Sequence, residues 1–298
     1  MANFFSLSDD ERAILQFLWR VKVAPTSAIF LRFEPEFRWK PFTAYKRLLI
    51  LKSKGCIITR TDESGTFRAW GLTAKGFKAI RHLLLALKED GYASECVKHD
   101  LYTLAAHYGE WIGKGSADDV RFVTEQELRR IDADELPGWA KPLQTHKPDG
   151  AWYFPESESK TLYALEMEPS RKRGRDYSAL GAFYSEEKSI GSVLWIVQSR
   201  GHANAIVRAM QSATNEYRNV HNFVLLEDLE KTGWASRIFY GPCADMSIHS
   251  YLAKARGNQS STKSSPTHHR GYVQKMLNFR IRRFESNTSA PSFMPPKL

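Results

Sequence analysis

The stretch HKPDGAWYFPESESKTLYALEME, residues 146–168, decides how the central part of the chain is read. Two runs rich in aromatic and aliphatic residues, Ala151-Trp152-Tyr153-Phe154 and Thr161-Leu162-Tyr163-Ala164-Leu165, flank a polar turn, which is the pattern of a β-hairpin. With the turn centred between Ser157 and Glu158, paired residue numbers sum to 315, so Asp149 faces Glu166 and Lys147 faces Glu168. The period of two puts Asp149, Ala151, Tyr153, Leu162, Ala164 and Glu166 on one face. Trp152, Phe154, Tyr163, Leu165 and Met167 fall on the other, an apolar face that belongs in a core. Two facing carboxylates repel, and such a pair is held by a divalent cation or by a neighbouring base. Asp149 and Glu166 are therefore candidate metal ligands, weighed against a pair that is merely solvated.

On either side of the hairpin the hydrophobic period alternates between helix and strand. Val97, Leu101, Leu104, Ala105, Tyr108 and Ile112 predict a long helix over 95–112. The polar stretch 113–142 holds a short helix at Glu125-Gln126-Glu127-Leu128 and a turn at Pro137-Gly138. A helix near 176–187, a buried strand at Ser192–Val197, a helix carrying Ala203, Ile206, Val207 and Met210, and a strand at Phe223–Leu226 follow. Strands alternating with helices give an α/β sheet.

The first ninety residues have a different pattern. Ser8 with Glu11 forms a capping box ahead of Ala13, Ile14, Phe17, Leu18 and Val21, one buried helical face. Thr26 opens a short second helix to about Arg32, and Pro41 starts a third that Gly55 ends. On the third helix, Ala44, Tyr45, Leu48, Leu49 and Leu51 form the packing side, while Thr43, Lys46, Arg47, Ile50 and Lys54 form a basic outer side. Residues 57–61 and 66–70 make a second hairpin with arginine in both arms, and Thr73 caps a fourth helix carrying Phe77, Ile80, Leu83, Leu84 and Leu87. This order resembles a winged helix-turn-helix domain, whose third helix enters the major groove and whose wing lies along backbone or minor groove. The resemblance implies a DNA-facing set of Lys40, Thr43, Lys46, Arg47, Ile50 and Lys54, with Arg60 and Arg68 on the wing. Winged helices also serve as protein-docking modules, with their lysines as a solvated face.

The 298 residues, 42% hydrophobic and 26% charged, are globular in composition and suggest two domains and a tail. The net charge of +10 is uneven: residues 1–90 carry +7, residues 91–254 carry −4, and residues 255–298 carry +7. Two basic ends around an acidic middle suit a polyanion, with nucleic acid ahead of an anionic membrane. No apolar run approaches the roughly 18 residues of a membrane helix, so no membrane partner and a cytoplasmic location are expected. Cys56, Cys96 and Cys243 are too few and too far apart for a disulfide framework or a CxxC metal pair, and are expected as buried free thiols. No P-loop, GxGxxG or GxSxG is present. Residues 255–270 are expected as a disordered linker. Beyond them, Tyr272, Val273, Met276, Leu277 and Phe279 interleave with Lys275, Arg280, Arg282 and Arg283 in a segment suited to a short basic helix.

Pro148-Asp149, then about seventeen residues, then a hydrophobic run ending in Glu166, resembles the PD-(D/E)XK nuclease fold. There an Asp and a Glu hold Mg²⁺, and a Lys two residues after the Glu helps to activate water. In this chain that position is Glu168, with Lys147 opposite it as the replacement cation and Lys172 as a less constrained substitute. The loop Arg171-Lys172-Arg173 follows directly and is placed to grip a phosphate backbone near the carboxylates. Winged helix, HKPDG, the acidic strand, DYSALGAFY (residues 176–184) and VLWIVQS (residues 193–199) together look like the replication-relaxation family over residues 8–230.

The resemblance implies residues 1–90 as a winged helix-turn-helix, residues 91–254 as a restriction-endonuclease-like mixed sheet flanked by helices, and a basic tail. It implies a sequence-specific, double-stranded DNA-binding accessory protein of plasmid or integrative-element mobilisation or replication, acting at a relaxosome or origin. A relaxase or replication initiator is the implied protein partner. The missing Lys points to a degenerate site. The alternatives are an active Mg²⁺-dependent endonuclease using Asp149, Glu166 and Lys147, and a winged-helix transcriptional regulator.

Overall fold

In the computed structural model, residues 6–114, 120–157, 160–170, 172–214 and 216–257 are described. The basic segment expected at 272–284, most of the linker before it, and Arg171 lie outside these residues. The protein is a mixed α/β structure with a three-stranded antiparallel sheet and a five-stranded mixed sheet.

Helix α1 (Asp9–Val21) begins at the expected capping box, where Glu11 accepts the backbone N–H of Ser8 at 3.0 Å. A two-residue strand β1 (Val23–Ala24) leads into α2 (Thr26–Phe37), which runs five residues past the expected end and accommodates Pro35 in its last turn. Pro41 occupies the first turn of α3 (Pro41–Ser53), and Gly55 turns the chain at φ +73° into β2 (Ile57–Thr61). β2 pairs with β3 (Arg68–Leu72), which also pairs with β1, so the hairpin is the larger part of a small sheet ordered β1-β3-β2.

Thr73 caps α4 (Ala74–Ile80), accepting the N–H of Gly76 at 3.1 Å. The expected long fourth helix stops there: a 3-10 turn spans Arg81–Leu83, Leu84 is extended, and Leu87 instead bridges to Ile131. The apolar spacing of Leu83, Leu84 and Leu87 serves an extended segment crossing onto the next unit.

α5 (Val97–His107) and β4 (Arg121–Thr124) precede α6 (Glu125–Arg130), and the central hairpin follows as β5 (Gly150–Tyr153) and β6 (Leu162–Glu168). Its pairs, Gly150 with Leu165 through Tyr153 with Leu162, all follow the expected register. β4 and β5 are antiparallel, as are β5 and β6. α7 (Gly174–Glu186) then carries the chain to β7 (Ile190–Val197), parallel to β6. α8 (Arg200–Gln211) carries it to β8 (His221–Leu225), parallel to β7, and α9 (Leu226–Thr232) and α10 (Ile248–Ala255) follow. Parallel neighbours require such crossovers, which is why helices cover the sheet.

Both faces of the central hairpin are buried, where only one was expected. Trp152, Leu165 and Met167 are buried, and so are Ala151, Ala164, Glu166 and Glu168 opposite them. α5 lies against the first face, with Trp152 donating Nε1–H to the His107 carbonyl at 2.9 Å. α7 covers the second face, and its tyrosines meet the glutamates.

One continuous apolar core extends from Leu7 to Ala255 and joins the two sheets. Phe17 of α1 packs edge-on against both Phe33 of α2 and Tyr108, ring centres 5.9 Å apart, and Tyr108 stacks on Phe122 of β4. Arg20 and Lys22 at the end of α1 pair with Glu127 and Glu125 of α6 at 2.9 and 2.7 Å. Of the cysteines only Cys56 is buried; Cys96 is exposed and Cys243 half-buried, because they fall at a helix start and in a loop.

α7 and α8 approach closely at Gly181, where a Cβ would stand 2.7 Å from the Met210 Cα. Gly181→Ala must push α8 away from α7, and a destabilisation of about 1–3 kcal/mol is expected. A melting temperature unchanged from wild type would show that the contact is looser than this.

Candidate functional site

Three acidic side chains gather at the ends of β5 and β6. Asp149 ends the turn into β5, and Glu166 and Glu168 point the same way from β6, two residues apart on one face. Each is almost wholly withdrawn from water: side-chain exposure is 13% for Asp149, 3% for Glu166 and 1% for Glu168. Buried carboxylates need partners, and all three have them within the chain.

Asp149 accepts the Met167 backbone N–H at 2.7 Å on Oδ2 and lies 3.3 Å from His99 Nε2 through Oδ1. His99 sits on the first turn of α5 and reaches Asp100 with its other nitrogen, also at 3.3 Å. Burial opposes a charge on His99, yet hydrogen bonds to Asp100 and Asp149 and their charges push its pKa up to about 11. Burial likewise works against the Asp149 carboxylate, and the His99 hydrogen bond and charge hold it below its ordinary range. Asp100 in turn faces the Lys22 ammonium at 3.5 Å. Glu166 Oε1 takes His146 Nε2 at 2.7 Å and the Tyr184 hydroxyl. Glu168 takes the Lys172 ammonium on one oxygen and lies 3.5 Å from the Tyr177 hydroxyl on the other; Tyr177 is 2.9 Å from His202 Nε2.

Asp149 and Glu166 line one open cleft of about 650 Å³, together with His146, Lys147 and Lys172. Lys88 also lines it, as do Arg129 and Arg130 with the acids they pair with, Glu125 at 3.0 Å and Glu89 at 3.1 Å. Lys147 lies in the cleft, but the cation at Glu168 is Lys172: the loop into α7 folds back over β6 and brings its ammonium in, four residues along the chain. Arg173 is exposed just before α7.

The carboxylates do not fit a divalent cation in this arrangement. Mg²⁺ needs an octahedron of oxygens that are open to it or to its water. Here both oxygens of Asp149 and one oxygen of Glu166 accept protein donors. Among the described residues no group of three or more His, Cys, Asp or Glu is arranged to hold a metal ion. His99 and Lys172 supply positive charge beside the carboxylates, and His146 and Tyr184 hydrogen-bond Glu166.

The DNA-facing set divides in three. Lys40, Lys46, Ile50 and Arg68 are exposed, and Thr43 is half-buried. Arg47 and Lys54 are tied to α1: Arg47 Nε is 2.8 Å from Asp10, and the Lys54 ammonium is 2.7 Å from both oxygens of Glu11. Glu11 is buried by its capping role, so Lys54 is its counter-charge rather than an open cation. Arg60 and Arg68 sit on opposite faces of the hairpin, since Arg60 pairs with Ala69 and Thr61 with Arg68. The Ala69 face, with Val23, packs on Leu101 of α5, so Arg60 is half-buried on the side turned toward the second unit. Tyr45 and Leu49, expected to pack, are exposed instead.

Sequence reading missed His99, His146, Tyr177 and Tyr184 as partners of the carboxylates, and His202 as the partner of Tyr177. His146 and Tyr184 stand inside stretches already singled out, three residues before Asp149 and eighteen after Glu166. His99 lies fifty residues upstream of Asp149, and no local pattern connects the two. No protein-family model, no curated protein and no solved structure matches the chain.

Burial pushes the Glu168 carboxyl up to about 7; Lys172 pulls against this, while the charges of Glu166 and Asp149 add to it. From its ordinary 4.5 to about 7, the folded chain keeps a proton that the unfolded chain has released. Stability therefore falls as pH rises through that window. Glu168→Gln has no such proton, and its melting temperature is expected to fall less than that of wild type between those two pH values. Parallel profiles for the two proteins would refute this.

Proposed function

We propose that the chain is a double-stranded DNA-binding protein that contacts the duplex through α3 and the β2–β3 hairpin. The observation that carries this reading is the charge on α3 and its surroundings. No Asp or Glu occurs between Glu36 and Asp62, while Arg38, Lys40, Lys46, Lys52 and Arg68 are exposed on this side of the chain. α2 and α3, joined by the three residues 38–40 and followed by a hairpin, support the winged helix-turn-helix reading of this unit.

The second unit supports a nuclease-like reading through its order of elements. A helix, a strand, the short helix α6, a hairpin antiparallel to that strand, a crossover helix and a parallel strand occur in this order, with the acidic residues at the start of β5 and near the end of β6. Its carboxylates are engaged by the protein's own hydrogen-bond donors and by Lys172, which favours a site that does not cleave. The exposed Lys88 and the half-buried Lys147 of the cleft suit contact with a phosphate. The resemblance to the replication-relaxation family makes the proposed setting plasmid or integrative-element replication or mobilisation, with specific binding at an origin or relaxosome. A relaxase or initiator is the protein partner that this setting proposes.

Binding of a duplex to the full chain should weaken steeply with salt, because phosphate neutralisation releases counterions. Lys46→Ala is expected to weaken binding and lower the salt slope by about 1. Lys54→Ala, whose ammonium is held by Glu11, should lower the melting temperature and leave the slope alone. Equal slopes for wild type and Lys46→Ala would remove α3 from the interface.

Supercoiled DNA incubated with Mg²⁺ or Mn²⁺ is expected to stay intact. Nicking that Asp149→Ala abolishes would instead establish the endonuclease.

A further inference from the structure

Helix α3 presents an outer face that is mostly apolar. Phe42, Tyr45, Leu49 and Ile50 are 65%, 44%, 42% and 39% exposed, and with Lys46 they recur at three and four along the helix. Four of the seven exposed large apolar side chains among the described residues stand on this one stripe. The Lys46 ammonium lies 4.7 Å over the Phe42 ring, so the stripe's cation is itself drawn along an aromatic surface. An apolar stripe of this size on an otherwise polar surface marks a contact site.

Charge narrows the occupant. A second copy of the helix would bring Lys46 and Lys52 against their own counterparts with no carboxylate to separate them. A polyanion with apolar groups on its floor is complementary to both properties at once. The major groove of duplex DNA has such a floor wherever thymine presents its C5 methyl. Arginine, the usual reader of guanine, is not available from the stripe. Arg47 lies to one side of it and is held by Asp10.

We propose that α3 reads thymine methyl groups through Phe42, Tyr45, Leu49 and Ile50, with Lys46 on the flanking phosphate or base edge, so that the chain selects A·T-rich duplex. This rests on the DNA-binding reading above and goes beyond it by naming the bases and the chemistry of recognition.

The test is selection from a pool of random duplexes by the full-length chain. The affinity of the selected site is then remeasured with each thymine replaced in turn by deoxyuridine, which lacks only the methyl. Thymines contacted by α3 should each lose about fourfold in affinity on replacement, the worth of one buried methyl group. Phe42→Ala and Leu49→Ala, at exposed positions that leave the fold intact by circular dichroism, should bind the thymine and uracil versions of their contacted step equally.

A selected site insensitive to every replacement, or one rich in G·C at its centre, overturns methyl reading while leaving DNA binding in place. Failure of the chain to retain any duplex at low salt overturns both, and binding of an acidic amphipathic peptide to the stripe in its stead would show a protein dock.

Discussion

Lys22 ends α1 with its backbone at φ 61°, a conformation that costs an ordinary L-residue roughly 1–3 kcal/mol. What holds it there is charge. Its ammonium is largely buried between Asp100 of α5 and Glu125 of α6, and Asp100 passes the contact through His99 to Asp149 at the mouth of β5. Removing one member of a buried ionic set strands the others, at a cost of about 3–5 kcal/mol. The chain Lys22–Asp100–His99–Asp149 therefore ties the end of the first helix to the residue from which the central hairpin starts. It works beside the shared apolar core in seating the first helix against the central hairpin, and it supplies the Asp149 corner of the acidic cluster with its partner.

The elements were largely readable because they rest on local rules. The hairpin register followed from the turn and the alternation of side chains, and the helices of the first ninety residues followed from Ser8, Pro41, Gly55 and Thr73. Errors came where a residue answers to something distant. Tyr45 and Leu49 look like core residues by hydropathy, but α3 has a narrow buried edge of Ala44, Leu48 and Leu51, and the rest of its circumference faces outward. Lys54 looks like a free cation until Glu11, 43 positions earlier, is buried beside it. The acidic cluster was visible as Asp149 and Glu166, whereas the groups that neutralise it arrive from α5, α7 and the loop before α7.

The cluster also shows how a sheet tolerates several acids at its centre. Proton donors from β6 itself, α5, the turn before β5, α7 and the loop before α7 are aimed at it: a backbone amide, two imidazoles, two phenols and an ammonium. Glu168, the most enclosed, remains partly protonated near neutrality because burial and its two acidic neighbours outweigh one lysine. Tyr184, raised well above its ordinary value by burial and by Glu166, stays a donor throughout. The helix α7 thus serves two purposes with one face: its tyrosines close the sheet from water and hydrogen-bond the acids that the sheet presents.

Among the described residues one apolar core runs from Leu7 to Ala255 and is shared by the small sheet and the large one. Because side chains of both sheets share that core, losing the packing of one exposes apolar surface of the other, and the two are expected to lose structure together.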